Sequence, residues 1–151
     1  MKHEEFHVRE TIEVIWELMR YAPEAQGIDL ILDIPKELEI ETDKRRMIGI
    51  LNNLITNSIR YHDQSKSKRF VKVSGFIQED WFHLHVEDNG CGIEPEHQEK
   101  VFEMFYRASN VAGGTGLGLF TVAESVDKLS GHIELESTLG EGTTFKIRIP
   151  A

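Results

Sequence analysis

The sequence predicts an α+β fold, a two-layer α/β sandwich in which a mixed, mostly antiparallel sheet carries its helices on one face. Segments with alternating apolar residues, which indicate strands, come in consecutive pairs along the chain, and helical segments separate the pairs. The element order is α-β-β-α-β-β-α-α-β-β, whereas a doubly wound parallel sheet would alternate single strands with single helices. No internal repeat, low-complexity stretch or Pro/Ser linker interrupts the 151 residues, so we expect one domain over residues 1–151.

The first half of the chain begins with a helix, predicted over residues 8–21 from apolar residues at helical spacing. A strand follows at residues 28–34, where apolar and polar side chains alternate until a proline ends the pattern. Thr42 or Asp43 then caps a long helix that runs to about Tyr61, because both side chains can accept a hydrogen bond from the first helical turn.

The second half of the chain supplies the remaining elements by the same two periodicities. They are strands at 70–78 and 81–88, a short helix at 95–105, a helix at 116–130, and a closing hairpin of strands at 132–137 and 143–149. Pro95 stands at the first position of its helix, where the missing N–H does no harm.

Composition and charge exclude several classes of protein. With 26 acidic and 17 basic residues the net charge is −9, which argues against a general nucleic-acid binder. No apolar run approaches the roughly 20 residues of a membrane span, and the opening MKHEEFHVRE is too charged for a signal peptide. The one cysteine, Cys91, fits a reducing compartment. We therefore expect a cytoplasmic domain without direct membrane contact.

Two polar side chains are predicted to point into the core from strand ends. Asp88, in the segment EDNGCGI, is in phase with Phe82 and Val86, and Thr143 is in phase with Phe145. Buried without partners, they would cost several kcal/mol. They could satisfy each other, or they could bind a purine, whose exocyclic amine donates to the carboxylate. Two glycines directly after the acid are expected to clear the space in front of it.

A polar row accompanies the apolar stripe of the long helix. The stripe is formed by Met47, Ile50, Leu51, Leu54, Ile55 and Ile59. Asn53, Asn57 and Arg60 follow at i, i+4 and i+7 along its edge. Such a row is often only a solvated flank, but asparagine is a poor helix former, and two amides beside a cation also suit Mg²⁺ and a phosphate.

The segment GGTGLGL, residues 113–119, leads into a helix. Its glycines allow backbone N–H groups to crowd an anion at the positive end of that helix, although a flexible loop explains a glycine cluster equally well. The segment lacks the Gly-Lys-Ser/Thr of a P-loop, and Pro95 occupies the third glycine position that a Rossmann fingerprint would need after Asp88.

Five segments resemble, in order and approximate spacing, the N, G1, F and G2 boxes and closing strand of the ATP-binding domain of sensor histidine kinases. They read NNLITNSIRY, EDNGCGI, VFEMFYR, GTGLGL and GEGTTFKI. The resemblance covers about residues 6–150 and implies the Bergerat fold, which gyrase-type topoisomerases, heat-shock chaperone ATPases and anti-sigma-factor kinases share. It also implies that Asp88 binds the adenine amine, with Gly90 and Gly92 flanking the base.

The resemblance implies roles for further residues. Asn57 resembles the Mg²⁺ ligand, Asn53 lies near the phosphates, and Arg60 stands where the family often has a lysine that faces the phosphates. The aromatic against the nucleotide is Tyr61, and Arg107 resembles a lid cation that reaches the γ-phosphate. The other implied nucleotide contacts are lid anchors, phosphate-side glycines and their neighbours, namely Phe102, Phe105, Ile93, Gly114, Thr115, Gly116, Leu117, Gly118, Leu119 and Thr143.

Asn53 favours a kinase over a hydrolase within this superfamily. In the hydrolysing relatives a glutamate, four residues before the Mg²⁺ asparagine, activates water, and an amide cannot take a proton. A neutral histidine needs no strong base, so the sequence predicts phosphoryl transfer from ATP to histidine with Mg²⁺ as cofactor. An anti-sigma-factor-type serine kinase and a non-catalytic, nucleotide-dependent binding module are the alternatives.

The chain shows no phosphoacceptor context of its own. His3-Glu4 begins like an acceptor motif, but no proline follows nearby. We therefore expect the acceptor histidine on a separate dimerisation hairpin of a longer chain, connected through residues 1–21, with a response regulator downstream. In such kinases this part is cytosolic, even where the parent is a membrane-bound receptor. His83 and His85 face outward, where a solvated surface is favoured over a metal site.

Overall fold

The computed structural model describes residues 1–107 and 116–151. Within these ranges the strands are β1 (Glu4–His7), β2 (Ile28–Asp33), β3 (Glu39–Thr42), β4 (Arg69–Gln78), β5 (Trp81–Asp88), β6 (His132–Thr138) and β7 (Gly142–Pro150). The helices are α1 (Val8–Met19), α2 (Lys44–Arg60), α3 (Pro95–Gln98) and α4 (Gly118–Lys128), with a 3₁₀ turn at Pro23–Ala25. The order is the predicted one, preceded by one further strand.

Five strands form a mixed sheet in the order β2-β4-β5-β7-β6. Strand β2 pairs with β4 in parallel, and the other three pairings are antiparallel. The register places Asp88, the last residue of β5, opposite Thr143, near the start of β7. The prediction of a mixed, mostly antiparallel sheet is confirmed. The pairing of β5 with β7 brings the two inward polar residues together at one end of these strands.

A second, two-stranded sheet joins β1 to β3. The strands are antiparallel, with Phe6 opposite Ile40, and both of these side chains are buried. The sequence pattern does not predict β1, because only one of its four residues faces the core. Strand β3 is the second strand of the first predicted pair, but it pairs with β1 rather than with β2.

The core lies between one face of the larger sheet and the three longer helices. Alternate residues of β4, β5 and β7 face inward, and the apolar stripe of α2 covers them. The whole predicted stripe is buried, namely Met47, Ile50, Leu51, Leu54, Ile55 and Ile59. Helices α1 and α4 flank α2 on this face, so the predicted two-layer sandwich is confirmed.

The opposite face of the sheet carries polar and aromatic side chains. His83 and His85 lie there, as predicted, and both are half-buried because Phe76 packs against them. The His83 and Phe76 rings stack with centroids 4.8 Å apart. Burial, followed by the charge of Lys146, lowers the pKa of His85. Within the described ranges neither histidine belongs to a group of three ligands that could hold a metal.

The structure settles the start of α2, which the sequence left open between two residues, and it shortens α3. Asp43 rather than Thr42 is the N-cap of α2, because its Oδ1 accepts from the backbone N–H of Arg46 at 3.2 Å. Helix α3 ends at Gln98, whereas the prediction extended it to 105. The following residues form successive turns closed by i to i+3 hydrogen bonds, and Phe105 has a positive φ of 65°, which a helix cannot accommodate.

None of the helices in the described ranges is both long enough and apolar enough to cross a membrane.

Candidate functional site

A cavity of about 460 Å³ opens where β5 ends, β7 begins and the last turns of α2 pass beside them. Its volume lies within the range of small-molecule sites. Eight of the residues implied to bind nucleotide line it, namely Asn57, Arg60, Tyr61, Asp88, Gly92, Ile93, Leu119 and Thr143. The apolar side chains of Val101, from the segment VFEMFYR, and of Leu139, from outside the motifs, complete its walls.

A second cavity, of about 120 Å³, adjoins the first at the start of α4. It contains the predicted polar and glycine positions Asn53, Asn57, Arg60, Tyr61, Arg107, Gly116, Gly118 and Leu119. Four of these residues line both cavities. The larger space therefore has an apolar wall and one buried acid, Asp88, with the exposed Glu94 at its surface. The smaller space has amides, cations and glycine backbone.

Asp88 is the buried acid of the larger cavity. Only 5% of its surface is exposed, which confirms the inward orientation that strand phase predicts. One carboxylate oxygen, Oδ1, accepts from the backbone N–H of Gly90 at 2.8 Å. Burial raises the pKa of Asp88 from 3.8 to about 6, although this hydrogen bond, Ser58, the backbone of Thr143 and the charge of Lys66 oppose the shift. The carboxylate is thus strained in its charged form and can gain from a ligand that donates to it.

Ser58 is a polar residue that sequence reasoning overlooked. Its hydroxyl is fully buried and makes no hydrogen bond within the described ranges, although it lies close enough to Asp88 to favour the carboxylate. A signal was available, because Ser58 interrupts the apolar stripe of α2 at a core position. An orphaned buried hydroxyl beside a half-satisfied carboxylate suits a polar ligand edge, and an adenine offers both donors and acceptors there.

The Thr143 hydroxyl is paired with a different side chain from the one considered in the sequence. Thr143 is buried, as its strand phase predicts, and its Oγ1 lies 2.8 Å from Oγ of Ser137. The Ser137 hydroxyl also accepts from the backbone N–H of Ile93, at 2.8 Å. The alternative in which the Asp88 and Thr143 side chains satisfy each other is therefore wrong, because the Thr143 hydroxyl pairs with Ser137. Ser137 was detectable, because it is in phase with the apolar residues of β6.

The two glycines after Asp88 allow neighbouring backbone to approach this loop closely. A Cβ on Gly90 would lie 2.4 Å from the carbonyl oxygen of Tyr61. Gly92 has φ of +74°, and a Cβ there would lie 2.2 Å from the carbonyl oxygen of Thr138. A Cβ on Gly90 would also lie 3.0 Å from Oδ1 of Asp88, so this glycine leaves room beside the acid as well as allowing the close approach of the loop to its neighbours.

Asn53 and Asn57 project from successive turns of α2 toward the smaller cavity. The Nδ2 of Asn53 donates to the Gly49 carbonyl at 3.0 Å, which turns Oδ1 toward Gly118. Asn57 lies at the wall common to both cavities. Oxygen ligands of this kind fit a hard cation such as Mg²⁺.

Some of the implied residues lie away from the two cavities. Phe105 is 64% exposed, and its backbone, not its ring, meets Gly116 through an N–H to carbonyl hydrogen bond of 3.0 Å. Phe102 packs edge-to-face on Phe145 in the core. Leu117 is exposed at the start of α4. The remaining two positions, Gly114 and Thr115, lie outside the described residues.

Several lining residues were not assigned a role from sequence. His97 and Tyr106 line the larger cavity, and the His97 ring nitrogen Nδ1 is hydrogen-bonded to the Tyr106 hydroxyl. Cys91 is exposed and also lines it, as its place between the glycines suggested. No periodic pattern marks His97 or Tyr106, because His97 lies in the one-turn helix α3, Tyr106 lies in the turns that follow it, and the two meet only through the fold.

Comparison with known proteins identifies the family of this chain. Residues 42–151 match the family described as histidine kinase-, DNA gyrase B- and HSP90-like ATPase. A probable C4-dicarboxylate sensor kinase of Bacillus subtilis is 39% identical over 110 residues, which are 72% of this chain and 20% of that protein. The sensor protein SrrB of Staphylococcus aureus is 36% identical over 128 residues, 82% of this chain and 21% of that protein.

Among solved structures, the catalytic domain of the histidine kinase ThkA superposes with a TM-score of 0.84 at 26% identity, covering 99% of this chain and 96% of that one. The chain belongs to the family of histidine kinase-, DNA gyrase B- and HSP90-like ATPases. Within it, its relatives are sensor kinases and its fold is that of a histidine kinase catalytic domain. The chain spans about a fifth of the length of the two curated relatives.

Proposed function

We propose that this chain binds Mg-ATP and transfers the γ-phosphoryl group to a histidine on a separate dimerisation hairpin. The observation that carries the proposal is the placement of buried Asp88 in an apolar-walled cavity that adjoins a smaller cavity with two amides and two arginines. An apolar space with one buried acid suits a purine, and a polar space next to it suits phosphates. Family membership supports ATP as the nucleotide.

Asp88 selects the base in this proposal. Its Oδ1 accepts from the Gly90 N–H, and the adenine amine would donate to Oδ2. Ser58 and Thr143 provide hydroxyls beside it, directly or through water. The flat apolar faces of the base would lie against the side chains that line the cavity, among them Ile93 and Leu119.

The smaller cavity holds the phosphates. Arg60 and Arg107 supply positive charge there, and Asn57 provides the amide oxygen that would hold Mg²⁺, with Asn53 one turn away. Bound Mg²⁺ would neutralise charge on the phosphate oxygens. Asn53 cannot take a proton from water, so this chain's own residues position the γ-phosphoryl group without activating a hydrolytic nucleophile.

The acceptor and the later partners belong to the same proposal. An imidazole nitrogen presented in line with the γ-phosphorus would complete the reaction, because positioning is most of catalysis in phosphoryl transfer. We propose that a hairpin of the same full-length chain presents it and is connected through the N-terminal side of this chain, where residues 4–19 are themselves packed into the domain as β1 and α1. We also propose that a response regulator receives the phosphoryl group in the cytoplasm. The sensor kinases similar to this chain support this arrangement.

The test is incubation with γ-labelled Mg-ATP, for the chain alone and with the hairpin of its parent supplied in trans. We expect no label on the chain alone and acid-labile, base-stable label on the hairpin. Asp88→Asn is the matched control, which we expect to abolish transfer. Acid-labile label on the chain alone would contradict the missing acceptor.

Acid-stable label on a serine of an added partner would favour the anti-sigma-factor-type kinase. Nucleotide binding without transfer to the correct hairpin would leave a nucleotide-dependent binding module.

A further inference from the structure

The ammonium group of Lys66 lies among backbone carbonyl oxygens. Lys66 belongs to the loop between α2 and β4, and its Nζ donates to the carbonyls of Asn89 at 2.7 Å, Gly140 at 2.8 Å and Gly90 at 3.1 Å, with the carbonyl of Glu141 at 3.4 Å. No carboxylate within residues 1–107 and 116–151 forms an ion pair with it. The groups that the ammonium contacts are therefore carbonyl oxygens, while its charge also acts at longer range on Asp63 and Asp88.

These carbonyls belong to the two segments that build one side of the larger cavity. Asn89 and Gly90 directly follow Asp88, and the other two carbonyls lie in the turn between β6 and β7. The residues on either side of that turn, Leu139 and Thr143, line the cavity. Lys66 thus joins the loop that presents the acid to the hairpin that faces it, from a third segment remote in sequence.

The two segments approach each other backbone to backbone. The N–H of Gly140 donates to the Cys91 carbonyl at 2.7 Å, and a Cβ on Gly142 would lie 2.0 Å from the Asp88 carbonyl oxygen. Carbonyl oxygens that converge at this spacing repel one another unless a positive charge lies between them. The ammonium provides that charge, because it is compact and offers three donors to four acceptors.

The loop that carries Lys66 is itself ordered. The Asp63 carboxylate accepts from the Ser65 backbone N–H at 2.9 Å and from its hydroxyl at 2.6 Å, and the Lys66 N–H donates to the Asp63 carbonyl at 3.1 Å. The side chain therefore starts from a fixed turn, which lowers the entropy lost when its ammonium is held.

We propose that Lys66 is a positioning residue for nucleotide binding, a built-in cation that holds the loop after β5 and the β6–β7 turn in the arrangement that accepts adenine. Rings of carbonyl oxygens without an anion are the ligands by which proteins replace the hydration shell of a monovalent cation. Removal of the lysine side chain leaves a site for K⁺ or ammonium, and nucleotide affinity becomes dependent on that ion. This inference rests on the proposed function, because its readout is nucleotide binding.

The experiment is calorimetric titration of Mg-ADP into four proteins, in KCl, in ammonium chloride and in tetramethylammonium chloride at equal ionic strength. The proteins are the wild type, Lys66→Ala, Lys66→Met and Lys68→Ala, the last being the matched control in the same loop with an exposed side chain. We expect equal affinities for the wild type and Lys68→Ala in all salts. We expect Lys66→Ala to bind about tenfold more weakly in tetramethylammonium, the equivalent of one hydrogen bond from a charged group, and to recover in K⁺ or ammonium.

Lys66→Met fills the vacated space with a neutral side chain, so we expect weak binding in every salt. Thermal unfolding of each variant separates loss of fold from loss of affinity. Wild-type affinity of Lys66→Ala in tetramethylammonium, or the same loss in all three salts, would overturn the inference. Failure of the wild type itself to bind Mg-ADP would instead overturn the proposed function.

Discussion

At the scale of single residues, Asp88 places function and stability in opposition. Burial raises its pKa to about 6, so at neutral pH the apo domain holds a carboxylate in surroundings that stabilise its charge less than water does. The folded state binds this proton more tightly than the unfolded chain does. The contribution of Asp88 to stability is therefore greatest below its ordinary pKa of 3.8 and is lost as the pH rises through about 6.

We predict that Asp88→Asn stabilises the nucleotide-free domain and abolishes adenine-nucleotide binding. At pH 7.5 the free energy of unfolding should rise by about 2–3 kcal/mol, the equivalent of the shift in pKa, and the difference should fall below about 1 kcal/mol near pH 4. Because the Gly90 N–H requires an acceptor, the amide would keep its oxygen there and present NH₂ to the adenine amine, donor to donor. Urea unfolding at the two pH values and calorimetric titration measure both effects, and wild-type affinity in the folded variant would contradict the assignment of Asp88.

Cys91 reports on the same cavity from its rim. It is exposed, it lines the larger cavity, and it is the only cysteine of the chain, while burial raises its pKa and so slows its reaction. We predict that saturating Mg-ATP slows its alkylation by a maleimide at pH 8 several-fold, because bound nucleotide limits access. Asp88→Asn is the control in which protection should disappear. Equal rates with and without nucleotide in the wild type would show that this loop lies away from the bound base.

At the scale of elements, the helices and strands with the most regular spacing of apolar residues are the ones that the sequence predicts correctly. Helix α2 has a regular apolar stripe, and buried and less buried residues alternate along β5 and β7. The sequence therefore predicts the approximate bounds of these elements, their inward faces and the buried polar residues at the strand ends. Strand β1 was not, since only Phe6 of its four residues is buried. The helix expected over 95–105 shortened to α3 because its later residues are held by turns and by contacts with other segments, which a local pattern does not contain.

The contribution of the N-cap to the stability of α2 can be tested separately from nucleotide binding. Asp43 accepts from the Arg46 backbone N–H and also pairs with the Arg46 side chain, at 3.3 Å. We predict that Asp43→Ala lowers the free energy of unfolding by about 1–2 kcal/mol, because the first turn loses its acceptor. Asp43→Asn keeps the acceptor and loses only the ion pair, so we expect a loss below about 1 kcal/mol. Equal losses in the two variants, measured by urea unfolding, would assign the stabilisation to charge rather than to capping.

At the scale of the whole molecule, the site is assembled from parts that are distant in sequence. The motifs identified Asp88, Thr143 and the row along α2, and each of these can be recognised from its own element. Lys66 and the pair of His97 with Tyr106 could not be, because their partners lie in other segments and no periodicity links them. Sequence therefore predicts the site residues whose direction is set by one helix or strand, and it misses those whose positions depend on contacts between segments.

The N-terminal strand decides whether residues before α1 belong to the cooperative fold or only lead into it. Phe6 is 6% exposed, pairs opposite Ile40 and joins the same core as α1 and α2. We predict that Phe6→Ala lowers the free energy of unfolding by about 3 kcal/mol, the cost of an emptied aromatic site, in a single urea transition. The matched control is Leu18→Ala, whose side chain is 82% exposed on α1 and should change stability by less than about 0.5 kcal/mol. If β1 frays independently, Phe6→Ala will behave like the control, and residues 1–7 will act as a connection to the rest of a longer chain instead of as part of this domain.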